Sequence, residues 1–146
     1  MFISLKQSPP PVTDRDHLSL LLPTRGRPQM LGQVFASLEQ TVAQKNKFAV
    51  WLYIDHDDQL TMDAIQAGQF KGYSFGIHWV VGESAVSLGE IHNLTWRACT
   101  SGSGIFMLHA DDTVFVTSGW DDIIRAAYNK YPDRILVAHP HDPELH

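Results

Sequence analysis

A chain of 146 residues with 44% hydrophobic residues, 18% charged residues and four tryptophans has the composition of a folded globular protein rather than a disordered one. Its formal charge of −5 argues against broad contact with a nucleic-acid backbone, yet leaves room for a local cationic cluster that holds one phosphorylated small molecule. The single cysteine, Cys99, excludes an internal disulfide and any multi-cysteine zinc site, and fits a small core residue in a reducing compartment.

The length suits one domain that buries roughly 70% of the surface its unfolded chain exposes. No run approaches the ~20 apolar residues of a bilayer crossing. The opening stretch MFISLKQSPPPVTDRDH is too interrupted by polar residues and prolines for a secretory signal, so a cytoplasmic protein is expected. Its consecutive prolines favour extended backbone, and residues 1–17 read as a surface leader to a domain over 18–146.

LSLLL (18–22) is a short continuous apolar run, the pattern of a strand buried on both faces, closed by the loop PTRGRP. Met30, Leu31, Val34, Phe35, Leu38 and Val42 then recur at helical spacing, with Pro28 suited to the first turn. A second strand, FAVWLYI (48–54), leads through DHDD (55–58) into a short helix near 61–67 that Gly68 ends. FGIHWVV (75–81) reads as a third strand. From Val86 to Thr100, Leu88, Ile91, Thr95 and Ala98 share a helical face before SGSG and a fourth strand, IFMLH (105–109).

Beyond HADD, TVFV (113–116) is expected to pair briefly. Ser118 with Asp121 gives an N-cap signature for a helix whose buried side is Trp120, Ile123, Ile124, Ala127 and Tyr131. ILVA (135–138) reads as a last strand. Strands alternating with helices imply an α/β protein with a mostly parallel open sheet, helices on both faces and right-handed crossovers. An exposed sheet edge is usually protected, which makes a homodimer an expectation.

Ligands of open parallel sheets collect outside the carboxyl ends of the strands, and three predicted strands end there in polar clusters. In PTRGRP, Gly26 permits close backbone approach, while Arg25 and Arg27 offer planar donors matched to phosphate oxygens before a helix N-terminus; solvated loop arginines are the plainer alternative. In DHDD, Asp55 stands at the strand end, where a carboxylate accepts from a base N–H or a ribose hydroxyl. Asp57 or Asp58 suits a local cap instead. In HADD, the adjacent carboxylates Asp111 and Asp112 repel each other unless a positive charge offsets them, and their hard oxygens suit Mg²⁺ or Mn²⁺. Alternation points His109 away from this group, so it is left out. The tail histidines His139, His141 and His146 match no helix-based zinc spacing.

These clusters in this order resemble the nucleotide-binding half of GT-A fold glycosyltransferases, particularly family 2-like enzymes, over about residues 18–138. LGEIHNLTWRACTSGSGIFMLHADD looks like the helix and strand leading to that family's D-x-D motif, with Asn93 at the usual asparagine. The F-x-T-x-GWD continuation, Phe115 to Asp121, looks like a bacterial and phage branch. The resemblance implies that Thr24, Arg25 and Arg27 lie near the nucleotide, that Asp55 contacts the base, and that Asn93 belongs to the same binding set. By the same analogy Asp112 ligates a divalent ion while Asp111 contacts ribose or assists.

Two departures stand out. His92 occupies a place where many relatives have arginine, and Ala110 the first place of the acidic triplet. Family members also continue into an acceptor-binding half that supplies the base; here Asp121, Asp142 and Glu144 are candidates in name only, and no carboxylate after the motif is assignable to that task.

The implied function is transfer of a sugar from a UDP- or GDP-linked donor to an unknown acceptor. Two alternatives remain: a nucleotide-binding module that transfers nothing, and a metal-dependent phosphohydrolase with DHDD and HADD around paired ions.

Overall fold

In a computed structural model, which describes residues 9–84 and 86–138, four strands form one parallel sheet in the order β3-β2-β1-β4. The elements are β1 (Asp14–Thr24), α1 (Pro28–Thr41), β2 (Phe48–Asp55), α2 (Gln59–Gln66), β3 (Gly76–Gly82), α3 (Leu88–Ala98), β4 (Ser103–Leu108) and α4 (Trp120–Asn129). From Leu18 onward the strands pair in continuous register, with Leu20 opposite Val50 on one side and Met107 on the other, and Val50 opposite Ile77; between Asp14 and Leu18 the register of β1 against β4 shifts.

Alternation along the strands divides the core into two layers. Leu18, Leu20 and Leu22 of β1, with Val50, Leu52 and Ile54 of β2, face Leu31, Val34, Phe35 and Leu38 of α1 and Trp120 of α4. Leu21, Trp51, Tyr53 and Val80 face the opposite way, toward Ala98, Cys99 and the half-buried Ile91 and Leu94 of α3. Helices therefore cover both faces, as the apolar runs of β1 and β2 require: every residue of β2 is buried.

Helix starts follow local chemistry. Pro28 opens α1, where its missing N–H deprives no carbonyl, and the Asp58 and Ser87 side chains cap α2 and α3 by accepting from the N–H groups of Thr61 and Glu90. Gly68, at φ +76°, ends the turn after α2.

Several expectations need correction. β1 begins at Asp14, four residues before the apolar run, and continues through Pro23 to Thr24. Neither 113–116 nor 135–138 is a strand: β4 is an edge of the sheet, and Val116, Ile135 and Val137 are 85%, 84% and 92% exposed. Ser118 does not cap α4; Gly119 does, in left-handed conformation at φ +76°, while its N–H donates to the Thr41 carbonyl. On α4 the buried side is Trp120, Asp121 and Arg125, whereas Ile123 and Tyr131 are exposed. Asp121 is drawn inward because it accepts from the N–H groups of Ala43 (2.8 Å) and Gln44 (3.1 Å) and pairs with Arg125. His139, His141, Asp142, Glu144 and His146 lie outside the described residues.

Candidate functional site

The carboxyl ends of β1, β2 and β4, together with the first turns of α3, line a groove of about 740 Å³. Thr24, Arg25, Arg27, Asp55 and Asp111 converge on it from three loops. Tyr53, Leu88, Ile91, His92 and His109 complete most of its wall. Asn93 is exposed on α3 and is not among the lining residues, and Asp112 is exposed beside the groove rather than in its wall.

The loop after β1 is clasped by acids from both neighbouring strands. Arg25 Nη1 donates to Asp55 at 2.7 Å and to Asp57 at 2.6 Å. These bonds hold the Arg25 guanidinium above its ordinary value and Asp57 below the usual carboxylate range. On the other side Arg27 Nη2 meets Asp111 Oδ1 at 2.6 Å, while the Thr24 hydroxyl donates to Asp111 Oδ2 at 2.9 Å. Asp111 is only 2% exposed, so the charge that its neighbour Asp112 would repel is matched inside the protein by a guanidinium and a hydroxyl.

Gly26, at φ +62°, turns its N–H onto Asp58 Oδ2 at 2.8 Å. Asp58 also accepts from Thr61. Burial would raise its pKa, but the Thr61 hydroxyl and the N–H groups of Gly26 and Thr61 outweigh that and keep it low. Asp58 is thus a cap and a brace for the arginine loop.

The groove floor is fixed by Tyr53, whose hydroxyl donates to the Glu83 carbonyl at 2.9 Å. Burial, then the charges of Asp55, Glu83 and Glu90, push that phenol upward, so it stays protonated. A Cβ on Gly82 would collide with the same hydroxyl, which is why a residue without a side chain ends β3.

His109, left out by the alternation argument, lines the groove. β4 ends at Leu108, so the period of two no longer applies one residue later. Its Nε2 lies 3.1 Å from the Thr113 carbonyl and 3.0 Å from the Thr113 hydroxyl, closing the turn that carries Asp111 and Asp112. The ring lies against Phe115, which stacks on Trp120, so the acidic turn is braced on the core. His92 also lines the groove; its polar helix position gives no sign of this, and the cue in the sequence is its place beside Asn93, where the resembled family often has arginine.

Among the described residues no three His, Cys, Asp or Glu side chains are grouped as a self-sufficient metal site. The DHDD carboxylates are engaged within the protein: Asp58 caps α2, and Asp55 and Asp57 are held by Arg25. The donor set does fit a hard ion completed by phosphate oxygens and water, with Asp112 as its exposed carboxylate and Asp111 next to it.

Counted at the rim, Arg25 and Arg27 face Asp55, Asp57, Asp58, Asp111 and Asp112, a net of three negative charges. A free diphosphate would be repelled there; a divalent cation cuts the excess from three negative charges to one and gives the phosphate oxygens a positive centre to meet.

No protein-family model matches this chain, and no curated protein does. Solved structures do. A mannosyltransferase, PcManGT from Pyrobaculum calidifontis in complex with GDP-Man and Mn²⁺, superposes with a TM-score of 0.60 at 11% identity, over 82% of this chain and 34% of that one. S. aureus TarS 1–349 gives 0.57 at 15% identity over 78% of this chain and 32% of its own, and its complex with UDP gives 0.56 at 14% identity. This chain therefore spans about a third of the length of those structures. Across that span it has the α/β, GT-A-like fold of glycosyltransferases.

Proposed function

We propose that the chain binds a nucleoside-diphosphate sugar, UDP- or GDP-linked, together with Mg²⁺ or Mn²⁺, and forms the donor-binding part of a sugar transferase. The observation that carries this reading is the meeting of Thr24, Arg25, Arg27, Asp55 and Asp111 in one groove at the carboxyl rim of a parallel sheet. The fold is shared with one protein solved with GDP-Man and Mn²⁺ and another solved with UDP.

In this reading Arg25 and Arg27 leave their carboxylate partners to engage the diphosphate, and Thr24 lies beside them. Asp55, released by Arg25, accepts from the base. Asp112 ligates the ion, with Asp111 assisting or meeting the ribose. The ion, when bound, offsets charge on the departing diphosphate. In the full reaction an acceptor hydroxyl attacks the anomeric carbon as the nucleoside diphosphate leaves. Asp121 is not its base, because it is wholly buried in an ion pair on α4.

Calorimetry with UDP, GDP and their sugars, with and without Mn²⁺, tests the binding. Saturable binding that strengthens with Mn²⁺ is expected, and no binding of either nucleotide under any condition ends the proposal. A binding role without transfer has one observation in its favour: among the described residues, Asp55 and Asp111, the carboxylates lining the groove, are both paired with arginines in the ligand-free protein. Sugar-nucleotide hydrolysis or transfer that disappears in Asp112→Ala decides for the transferase.

A further inference from the structure

His92 lines the groove from the second turn of α3, and its Nδ1 is shut away from solvent with no hydrogen-bond partner among the described residues. A neutral imidazole carries one proton, and an imidazolium carries one on each nitrogen. A proton on Nδ1 would be a buried donor with no acceptor, an arrangement rarer in folded proteins than an under-satisfied acceptor. A neutral ring with its hydrogen on Nε2 avoids that arrangement, and burial lowers the pKa of His92, which also favours the neutral form. Since Nδ1 is the enclosed nitrogen, Nε2 is the one left to the groove.

We propose that His92 is a ligand-positioning residue of the groove, presenting a neutral Nε2–H donor to an oxygen of the bound nucleotide sugar. This rests on the nucleotide reading above and adds to it a contact of a different kind. Arg25 and Arg27 supply charge, which any phosphate satisfies, whereas an uncharged donor rewards only an acceptor held at its own place. In a rim already short of positive charge, a neutral donor holds the ligand without depending on the acid cluster.

Long-range ¹H–¹⁵N spectra of the whole protein, with the His92 signals identified by their loss in His92→Gln, read the tautomer directly. The expected state at pH 7 is neutral with Nε2 protonated, and the Nε2 signal moves when UDP and Mg²⁺ are added. Titration of UDP–Mg²⁺ then compares two variants. His92→Phe keeps a ring and loses the donor, and should weaken binding about tenfold, the worth of one hydrogen bond. His92→Gln keeps an N–H donor and should stay within about threefold of the parent.

Thermal unfolding separates this from a packing role. His92→Phe removes a buried unpartnered nitrogen, so its melting temperature should hold or rise while binding falls. An Nδ1–H or doubly protonated ring, equal binding by His92→Phe and the parent, or loss of stability in step with binding would each overturn the proposal. If the parent protein binds no UDP–Mg²⁺, the nucleotide reading fails and takes the ligand contact with it; parent binding that His92→Phe leaves unchanged defeats the His92 contact alone.

Discussion

Asp121→Ala should be among the most damaging single changes outside the apolar core. The carboxylate is 0% exposed, accepts from the N–H groups of Ala43 and Gln44, and pairs with Arg125, itself 4% exposed. Arg125 in turn donates to the carbonyls of Asp16 at 2.7 Å and Lys47 at 2.8 Å, so the pair ties α4 to β1 and to the approach to β2. Removing one partner of a buried pair costs about 3–5 kcal/mol. Each orphaned N–H adds to that, while Asp122, 3.1 Å from Arg125, takes up part of the stranded charge.

We therefore expect a loss of about 4 kcal/mol, or about 12 °C in Tm for a domain of this size. Urea unfolding followed by tryptophan fluorescence measures it, with Trp120 beside the lesion as a local probe. The double variant Asp121→Leu with Arg125→Met should recover at least half of the loss, because no buried charge is left alone. A loss under about 1 kcal/mol in the single variant, or a double variant no better than the single, would refute the reasoning.

Gly104→Ala should destabilise by about 1–3 kcal/mol, since the added Cβ would lie 2.5 Å from the Arg15 carbonyl oxygen and the backbone there cannot yield as a side chain would; thermal unfolding checks it. Burial holds His17, His78 and His92 below the ordinary histidine value of 6.5, so the unfolded chain takes up protons first; stability should be full above that value and fall as pH drops through the lower folded values. A second loss, from Asp14, Asp57, Asp58 and Asp121, all held low, should begin only below the ordinary carboxylate value of 3.8; a Tm series across pH separates the two steps. Arg27→Ala should weaken UDP–Mn²⁺ binding at least about tenfold by calorimetry, while Arg15→Ala, at the opposite end of β1, leaves it unchanged.

The α/β layout was legible because each parallel strand is a local apolar run and each helix a local periodicity. Segments 113–116 and 135–138 satisfy the same local criteria but are unpaired, since a strand also needs a neighbour and composition does not show one. The rim residues Arg25, Arg27, Asp55 and Asp111 were legible from their place after apolar runs. Their mutual pairing was not, because Arg25 and Asp55 stand 30 positions apart and Thr24 and Asp111 stand 87 apart. Asp121 and Arg125 have the spacing of an exposed helical ion pair, and only the distant backbone of Ala43, Gln44, Asp16 and Lys47 makes them interior. His109 was misplaced because strand alternation was carried one residue past the end of β4.

The central claim is that one rim gathers a metal-bridged diphosphate between the arginine loop and the acidic turn. Paramagnetic line broadening tests it most directly: substoichiometric Mn²⁺ is added with UDP to uniformly ¹⁵N-labelled protein and the amide signals that vanish are mapped. The account predicts selective loss around Thr24 to Arg27 and Ala110 to Asp112, much weaker without UDP. Broadening confined to the tail histidines, or spread over the opposite end of the sheet near Asp14 and Ser103, would contradict it.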